Sequence, residues 1–352
     1  MFDTSSSKKK AKQAIKILLV SHLNHFKPIT MNTTLLWKNV VSLSIYLLLI
    51  LGLFGYVYQA QAQAQAQECQ SEHVKIQMLG TRGPEFLDDR ASTGYLIWLD
   101  NKARVIIDTG PGTVQRFKQS SARYEDIKLI LFTHFHVDHS ADFPAYVKGG
   151  FFTEKSEDLE IIGPSGTNFV ASADQFVKRI LGERTGAYPY LSHYLDPKSQ
   201  SAYKIRVRTV PWSYQNLDIK TIYDKGNIVV KTVPVHHGPF PALGYRIETA
   251  GCVISFTGDM SGRLRAMPDL ASGSDILVAH NAIPENATGI PALLHMKPSY
   301  IGKMAKEAGV KKVLLTHLME RSINVQGDTM RLIRQSYGGP LEFPQDLDVI
   351  HP

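Results

Sequence analysis

The apolar run Leu129-Ile130-Leu131-Phe132 passes without a spacer into Thr133-His134-Phe135-His136-Val137-Asp138-His139. A continuous apolar quartet marks a strand buried on both faces. Three imidazoles and a carboxylate at its exit must therefore gather at the end of a sheet. His134 and His136 stand two residues apart, so in an extended backbone they face the same way and can share one metal ion, while Asp138 and His139 beyond the turn can serve a second. This ligand set suits zinc, and iron or manganese would also be held. The bland alternative is a solvated loop that happens to be rich in histidine. Polar groups packed against the end of a buried strand argue against it.

From Val74 onward, short strands, turns and helices alternate with no low-complexity linker, so residues 68–352 are expected to form one domain. Strands are predicted over residues 74–78, 95–99, 104–108, 129–132, 159–162, 228–235, 245–248, 253–257, 276–279, 313–316 and 347–350, and helices over 112–119, 165–181, 298–307 and 327–336. Strands outnumber helices and both occur throughout, which predicts sheets covered by helices, a layered α/β arrangement.

The formal charge of +7 is unevenly placed. Residues 1–67 hold seven Lys, no Arg and one acid, Asp3, which leaves about +1 for residues 68–352 and excludes a broadly basic body of the kind that binds nucleic acid unspecifically. After this basic region, Val40 to Tyr58 is uncharged and long enough to cross a bilayer. The Gln-Ala tract over 59–67 then offers Ala-x-Ala sites such as Ala62-Gln63-Ala64. Residues 1–67 are thus expected to be a signal peptide, with a retained anchor as the alternative and Met31 as a second candidate start. Either way the body would be exported, periplasmic or extracellular. Cys69 and Cys252 allow one pairing, and a disulfide or a buried thiol beside an unrelated one are both open.

The motif HxHxDH after an apolar strand resembles the signature of the metallo-β-lactamase superfamily. Leu79-Gly80-Thr81, the turn Asp108-Thr109-Gly110-Pro111-Gly112-Thr113 and the stretch Gly163-Pro164-Ser165-Gly166-Thr167 are similar to its ribonuclease Z-like branch, which also includes exported arylsulfatase-type and phosphodiesterase-type hydrolases. The resemblance implies an αββα sandwich, two mixed sheets flanked by helices. It implies a first metal held by His134, His136 and His237, with His236 open as the third ligand. The second metal would take Asp138, His139 and His317, with Asp259 bridging. It further implies that Asp138 orients the attacking hydroxide or takes its proton and that His295 protonates the leaving group. His73, His193 and His280 have no comparable context.

The expectation is therefore a hydrolase with two zinc ions, in which metal-bound hydroxide attacks a phosphodiester or sulfate ester. Two departures argue against transfer RNA as substrate. Only Glu248 to Ser255 separate Ile247 from Phe256-Thr257-Gly258-Asp259, where ribonuclease Z inserts its RNA-binding arm, and Asn281 stands where those enzymes carry a glutamate behind the proton-donating histidine. The expected partner is a small ester, with the membrane met only through the N-terminal segment and a homodimer left open. The rivals are a β-lactamase or lactonase, a non-catalytic metal-binding member, and an iron-dependent oxygen reductase. The aromatics from Tyr188 to Tyr214 could line a substrate mouth or form an ordinary packed edge.

Overall fold

The computed structural model describes residues 68–352. The signal peptide or anchor expected over 1–67 lies outside the described residues. Among those described, no helix is long and apolar enough to cross a membrane.

Among the described residues, fourteen strands form two sheets of seven. The first contains β1 (Val74–Gly80), β2 (Gly94–Leu99), β3 (Lys102–Ile107), β4 (Leu129–Leu131), β5 (Leu159–Pro164), β6 (Ile205–Val210) and β14 (Val349–Ile350), in the order β14-β1-β2-β3-β4-β5-β6. The second contains β7 (Lys220–Lys225), β8 (Ile228–His237), β9 (Phe240–Thr249), β10 (Cys252–Phe256), β11 (Ile276–His280), β12 (Lys312–Thr316) and β13 (Leu341–Glu342), in the order β13-β12-β11-β10-β9-β8-β7. Both sheets are mixed. β1 to β3 pair antiparallel and β3 to β6 parallel, while β7 to β10 pair antiparallel and β10 to β13 parallel.

Period-two alternation distributes the strand side chains between layers. Ile97 and Leu131 from the first sheet meet Ile254 and Val278 from the second in the central core. Their sequence neighbours Leu96 and Ile130 face outward beneath Phe117, Phe143 and Val177 of the helices Thr113–Gln119, Phe143–Gly150 and Ala173–Leu181. On the other side, Leu277 and Leu315 pack under Met267, Ile301 and Ile333 of Ala266–Leu270, Pro298–Glu307 and Gln326–Arg334. The result is the expected αββα sandwich.

Two sequence expectations need correction. The helix expected over 165–181 begins only at Ala173, because the Ser172 side chain accepts from the Gln175 amide and the Gln175 side chain answers the Ser172 amide, a reciprocal cap that fixes the start. Residues 205–210 and 220–225 form strands that were not expected; as outer strands of their sheets they carry exposed charges, such as Arg206 and Lys225, rather than a continuous apolar run.

Cys69 and Cys252 form a disulfide that joins the segment before β1 to β10 of the opposite sheet, resolving the alternatives left open by the sequence. β9 turns into β10 through Ala250 and Gly251, both at positive φ, so a two-residue hairpin occupies the place of an inserted arm.

Candidate metal centre

The exits of β3, β4, β8, β10, β11 and β12 converge at one end of the sandwich. In open α/β sheets, the carboxyl ends of parallel strands are where loops free of the ladder can aim side chains into a crevice. From the first sheet, β4 delivers the loop holding His134, His136, Asp138 and His139. From the second, β8 ends in His237, and Asp259 and His317 follow β10 and β12.

His134 Nε2 lies 3.0 Å from His136 Nδ1, which in turn lies 3.3 Å from His237 Nε2. Asp259 Oδ2 stands 4.0 Å from His134 Nε2 and 3.8 Å from His237 Nε2. The same oxygen faces a second group, 3.6 Å from His139 Nε2 and 3.3 Å from His317 Nε2, with Asp138 Oδ2 at 3.4 and 3.1 Å from those two nitrogens. All seven residues assigned from the sequence come together, with Asp259 between the two groups. His236 does not join them. It is the outward neighbour of His237 on β8, its Nδ1 bonded to Ser261 Oγ and its ring stacked on Tyr214. His295 does, its Nδ1 lying 3.7 Å from Asp259 Oδ2.

Behind the cluster stand partners that sequence reasoning missed. His139 Nδ1 donates to Asp108 Oδ2 at 2.8 Å, and the same carboxylate accepts from Thr133 N and Oγ1. His280, unassigned from the sequence, donates from Nδ1 to Asp259 Oδ1 at 2.7 Å. Its Nε2 accepts from the Tyr95 hydroxyl at 2.9 Å, and that hydroxyl in turn accepts from Thr316. Although His280 could join His139, Asp259 and His317 in a four-residue metal group, both its nitrogens are already bonded, so it orients Asp259 while Asp138 completes the set. Asp108 and His317 adopt left-handed backbone conformations, at φ 57° and 56°. Non-glycine residues hold such strain where the surroundings impose it, characteristically at functional sites. Gly83 brings a loop down onto His317: a Cβ there would stand 2.9 Å from His317 Cε1.

The donor set fits a pair of cations. His139 Nε2 is buried and without a hydrogen-bond partner while its Nδ1 is held by a carboxylate. His237 Nδ1 donates to the Leu294 carbonyl at 2.9 Å, leaving Nε2 to the cluster. This pairing of an anchored ring nitrogen with a free one is the usual design of metal-ligating histidine. Burial, aided by the neighbouring imidazoles, holds His134 well below the ordinary histidine range and pushes His237 down to about 4, so both rings are neutral, as ligands must be. Burial works to raise Asp138 and Asp259, but the adjacent imidazoles overcome it and hold both carboxyls ionised. Burial also pushes His295 down to about 3.

Of the aromatics between Tyr188 and Tyr214, Tyr194 and Tyr203 are packed in the core, and Tyr188 and Tyr190 are exposed. Tyr214 reaches the site's edge, its hydroxyl donating to Gly238 O at 2.6 Å. Asn281 Nδ2 donates to Ile283 O, among groups buried beside the site, and makes no hydrogen bond to His295.

A family model described as a beta-lactamase superfamily domain matches residues 103–318. Ribonuclease Z of Mycobacterium marinum is 26% identical over 290 residues, covering 78% of this chain and 97% of that protein. Among solved structures, the short form of human tRNase Z is similar with a TM-score of 0.60 at 21% identity, covering 78% of this chain and 98% of its own. A diphosphatase of the PhnP family is similar with a TM-score of 0.55 at 16% identity, over 79% and 96%. At those identities the two structural likenesses speak to the fold.

Proposed function

The chain belongs to the metallo-β-lactamase superfamily, and because its buried histidines and aspartates converge in two groups around Asp259, we propose that it is an exported, dinuclear zinc hydrolase of small phosphodiesters. That convergence is the observation that carries the reading. His134, His136 and His237 would hold one cation and Asp138, His139 and His317 the other, with Asp259 between them. Two cations so held supply Lewis-acid stabilisation of the developing charge and bring the pKa of a shared water toward neutrality.

The chain's own residues do the rest. Asp138 faces His139 and His317 through Oδ2, leaving Oδ1 to orient the attacking water and take its proton. Asp108 and His280 fix the ring of His139 and the carboxylate of Asp259, so little reorganisation accompanies the reaction. His295, neutral and with Nδ1 unpartnered toward the cluster, is placed to donate a hydrogen bond to the leaving oxygen as the ester bond breaks, while the proton that Asp138 takes from the water passes to that oxygen. Likeness in sequence to ribonuclease Z favours phosphorus as the electrophile. The tight β9–β10 hairpin and near-neutral body favour a small ester over RNA. The apolar segment over 40–58 and the Cys69–Cys252 disulfide, a bond that persists in oxidising compartments, support export.

The test is elemental analysis of the purified protein together with hydrolysis of chromogenic phosphodiester, aryl sulfate, lactone and cephalosporin substrates. About two zinc ions per chain with diester cleavage is the expected result. Asp138→Ala and His317→Ala should each abolish turnover in a protein that remains folded by circular dichroism. Retained activity in either sinks the assignment, and preferential cleavage of the lactone or cephalosporin would move the enzyme to the rival class. A reporter active only after disulfide formation, fused downstream of residue 67, reads export.

A further inference from the structure

Three apolar segments surround the candidate metal centre, each beside a different member of it. Phe86, fully exposed, and Leu87 stand with Val137 around a cavity of about 370 Å³ whose lining includes Asp138. Phe169, two-thirds exposed, edges Phe240, which packs edge-on against His136 at 4.2 Å in a smaller cavity that also touches His134. The helix Gly289–Leu294 is apolar from Ile290 to Leu294, yet none of its residues is buried, and its Leu294 carbonyl accepts from His237 Nδ1. Of the eleven exposed large apolar side chains among the described residues, five (Phe86, Leu87, Val137, Phe169 and Ile290) belong to these segments. Single exposed apolar side chains are ordinary, but a concentration at the mouth of a polar site calls for an occupant.

The charges nearby point the same way. Arg82 and Arg90, on the loop that carries Phe86, both pair with Asp88, and Arg321 donates to the Ala282 carbonyl. These cations are engaged within the protein instead of being presented to a polyanion, as nucleic-acid binding would require. The cavity's remaining lining is mixed, with Glu85 and Ser92 and the paired Asp88 and Arg90 beside its apolar side chains.

Resting on the phosphodiesterase reading above, we infer that the natural substrate is a phosphodiester bearing an apolar ester substituent, which seats in the Phe86–Val137 cavity beside Asp138. The cavity's size matches a single compact group, at the lower end of small-molecule sites. Discrimination here comes from removing an apolar substituent from water, and the exposed Phe86 ring contributes directly to it.

The experiment uses the full-length, metal-loaded protein and calorimetric affinities for diphenyl phosphate, dimethyl phosphate and the dinucleotide diester of thymidine, in wild type and in Phe86→Ser. Because Phe86 is fully exposed, the substitution should leave fold and metal content unchanged. Diphenyl phosphate is expected to bind about tenfold tighter than dimethyl phosphate, and Phe86→Ser should remove most of that ratio by weakening the diphenyl ester alone. Equal affinities, or a ratio that survives in Phe86→Ser, overturn the proposal. Tighter binding of the thymidine diester overturns it in favour of a nucleotide substrate. Bis(p-nitrophenyl) phosphate is the parallel control. If metal-loaded wild type fails to hydrolyse it, the phosphodiesterase reading falls and takes this proposal with it, whereas turnover without apolar preference sinks this proposal alone.

Discussion

His280 Nδ1 lies 2.7 Å from Asp259 Oδ1, and Tyr95, from the opposite sheet, closes the other side of the same ring. The carboxylate between the two groups of ligands is thus aligned by a chain of bonds that ends on Thr316, next to His317. Removing an outer partner of this kind typically lowers metal affinity 10–100-fold. His280→Asn should show that loss in competition with a chromophoric chelator, and Tyr95→Phe a smaller one. Wild-type affinity in His280→Asn would reduce this histidine to packing.

His295 is expected to matter in proportion to the difficulty of expelling the leaving group. His295→Ala should reduce kcat by about 10²–10⁴-fold for alkyl leaving groups and much less for p-nitrophenolate, which departs without help. A uniform loss across a leaving-group series would assign the residue to positioning instead.

The disulfide closes a separation of 183 residues, so it restricts the unfolded chain strongly. Cys252→Ser should cost about 2–4 kcal/mol in urea unfolding. Reductant should bring wild type down to the variant's midpoint while leaving the variant in place. A wild-type midpoint unmoved by complete reduction would show that the bond contributes nothing.

Lys155 is buried beside Tyr124 and Tyr203, its ammonium donating to Ile127 O at 2.5 Å. Burial, with nearby Lys128 acting in the same direction, pushes its pKa down to about 8 from the ordinary 10.5. Between those values the unfolded chain binds more protons than the folded one, so this group's contribution to stability improves as pH rises from about 8 to 10.5. Lys155→Met should lack that increment, seen as a smaller rise in urea midpoint across the window. Parallel pH profiles for the two proteins would contradict it.

Much of this architecture was legible in advance because it rests on short-range patterns. The quartet ending at Phe132 announced β4, and the ligands that follow it needed only chain direction to be placed at a sheet end. His237 and His236 show the limit. Adjacent residues on a strand face opposite ways, and the facing is set by the pairing of His237 with Phe240, a property of the sheet that residue types alone do not reveal. Asp108 and His280 went unrecognised for a related reason. Each acts through one ligand, so only the tertiary approach of Asp108 to His139 and of His280 to Asp259 reveals what it does. Exposure of the helix Gly289–Leu294 was equally hidden, since its composition is that of a core segment.

The seven converging side chains are divided between the two sheets: His134, His136, Asp138 and His139 hang from one leaf, and His237, Asp259 and His317 from the other. Cations seated among them would rivet the leaves together at that end, while at β10 the Cys69–Cys252 bond ties the second leaf to the segment leading into the first. A chelator would then do more than silence the chemistry. It would remove one tie at that end, leaving the backbone bonds of Leu318 to Thr81 and of Leu243 to Thr133, and the strand exits around His134 and His317 would be the first amides to open to exchange.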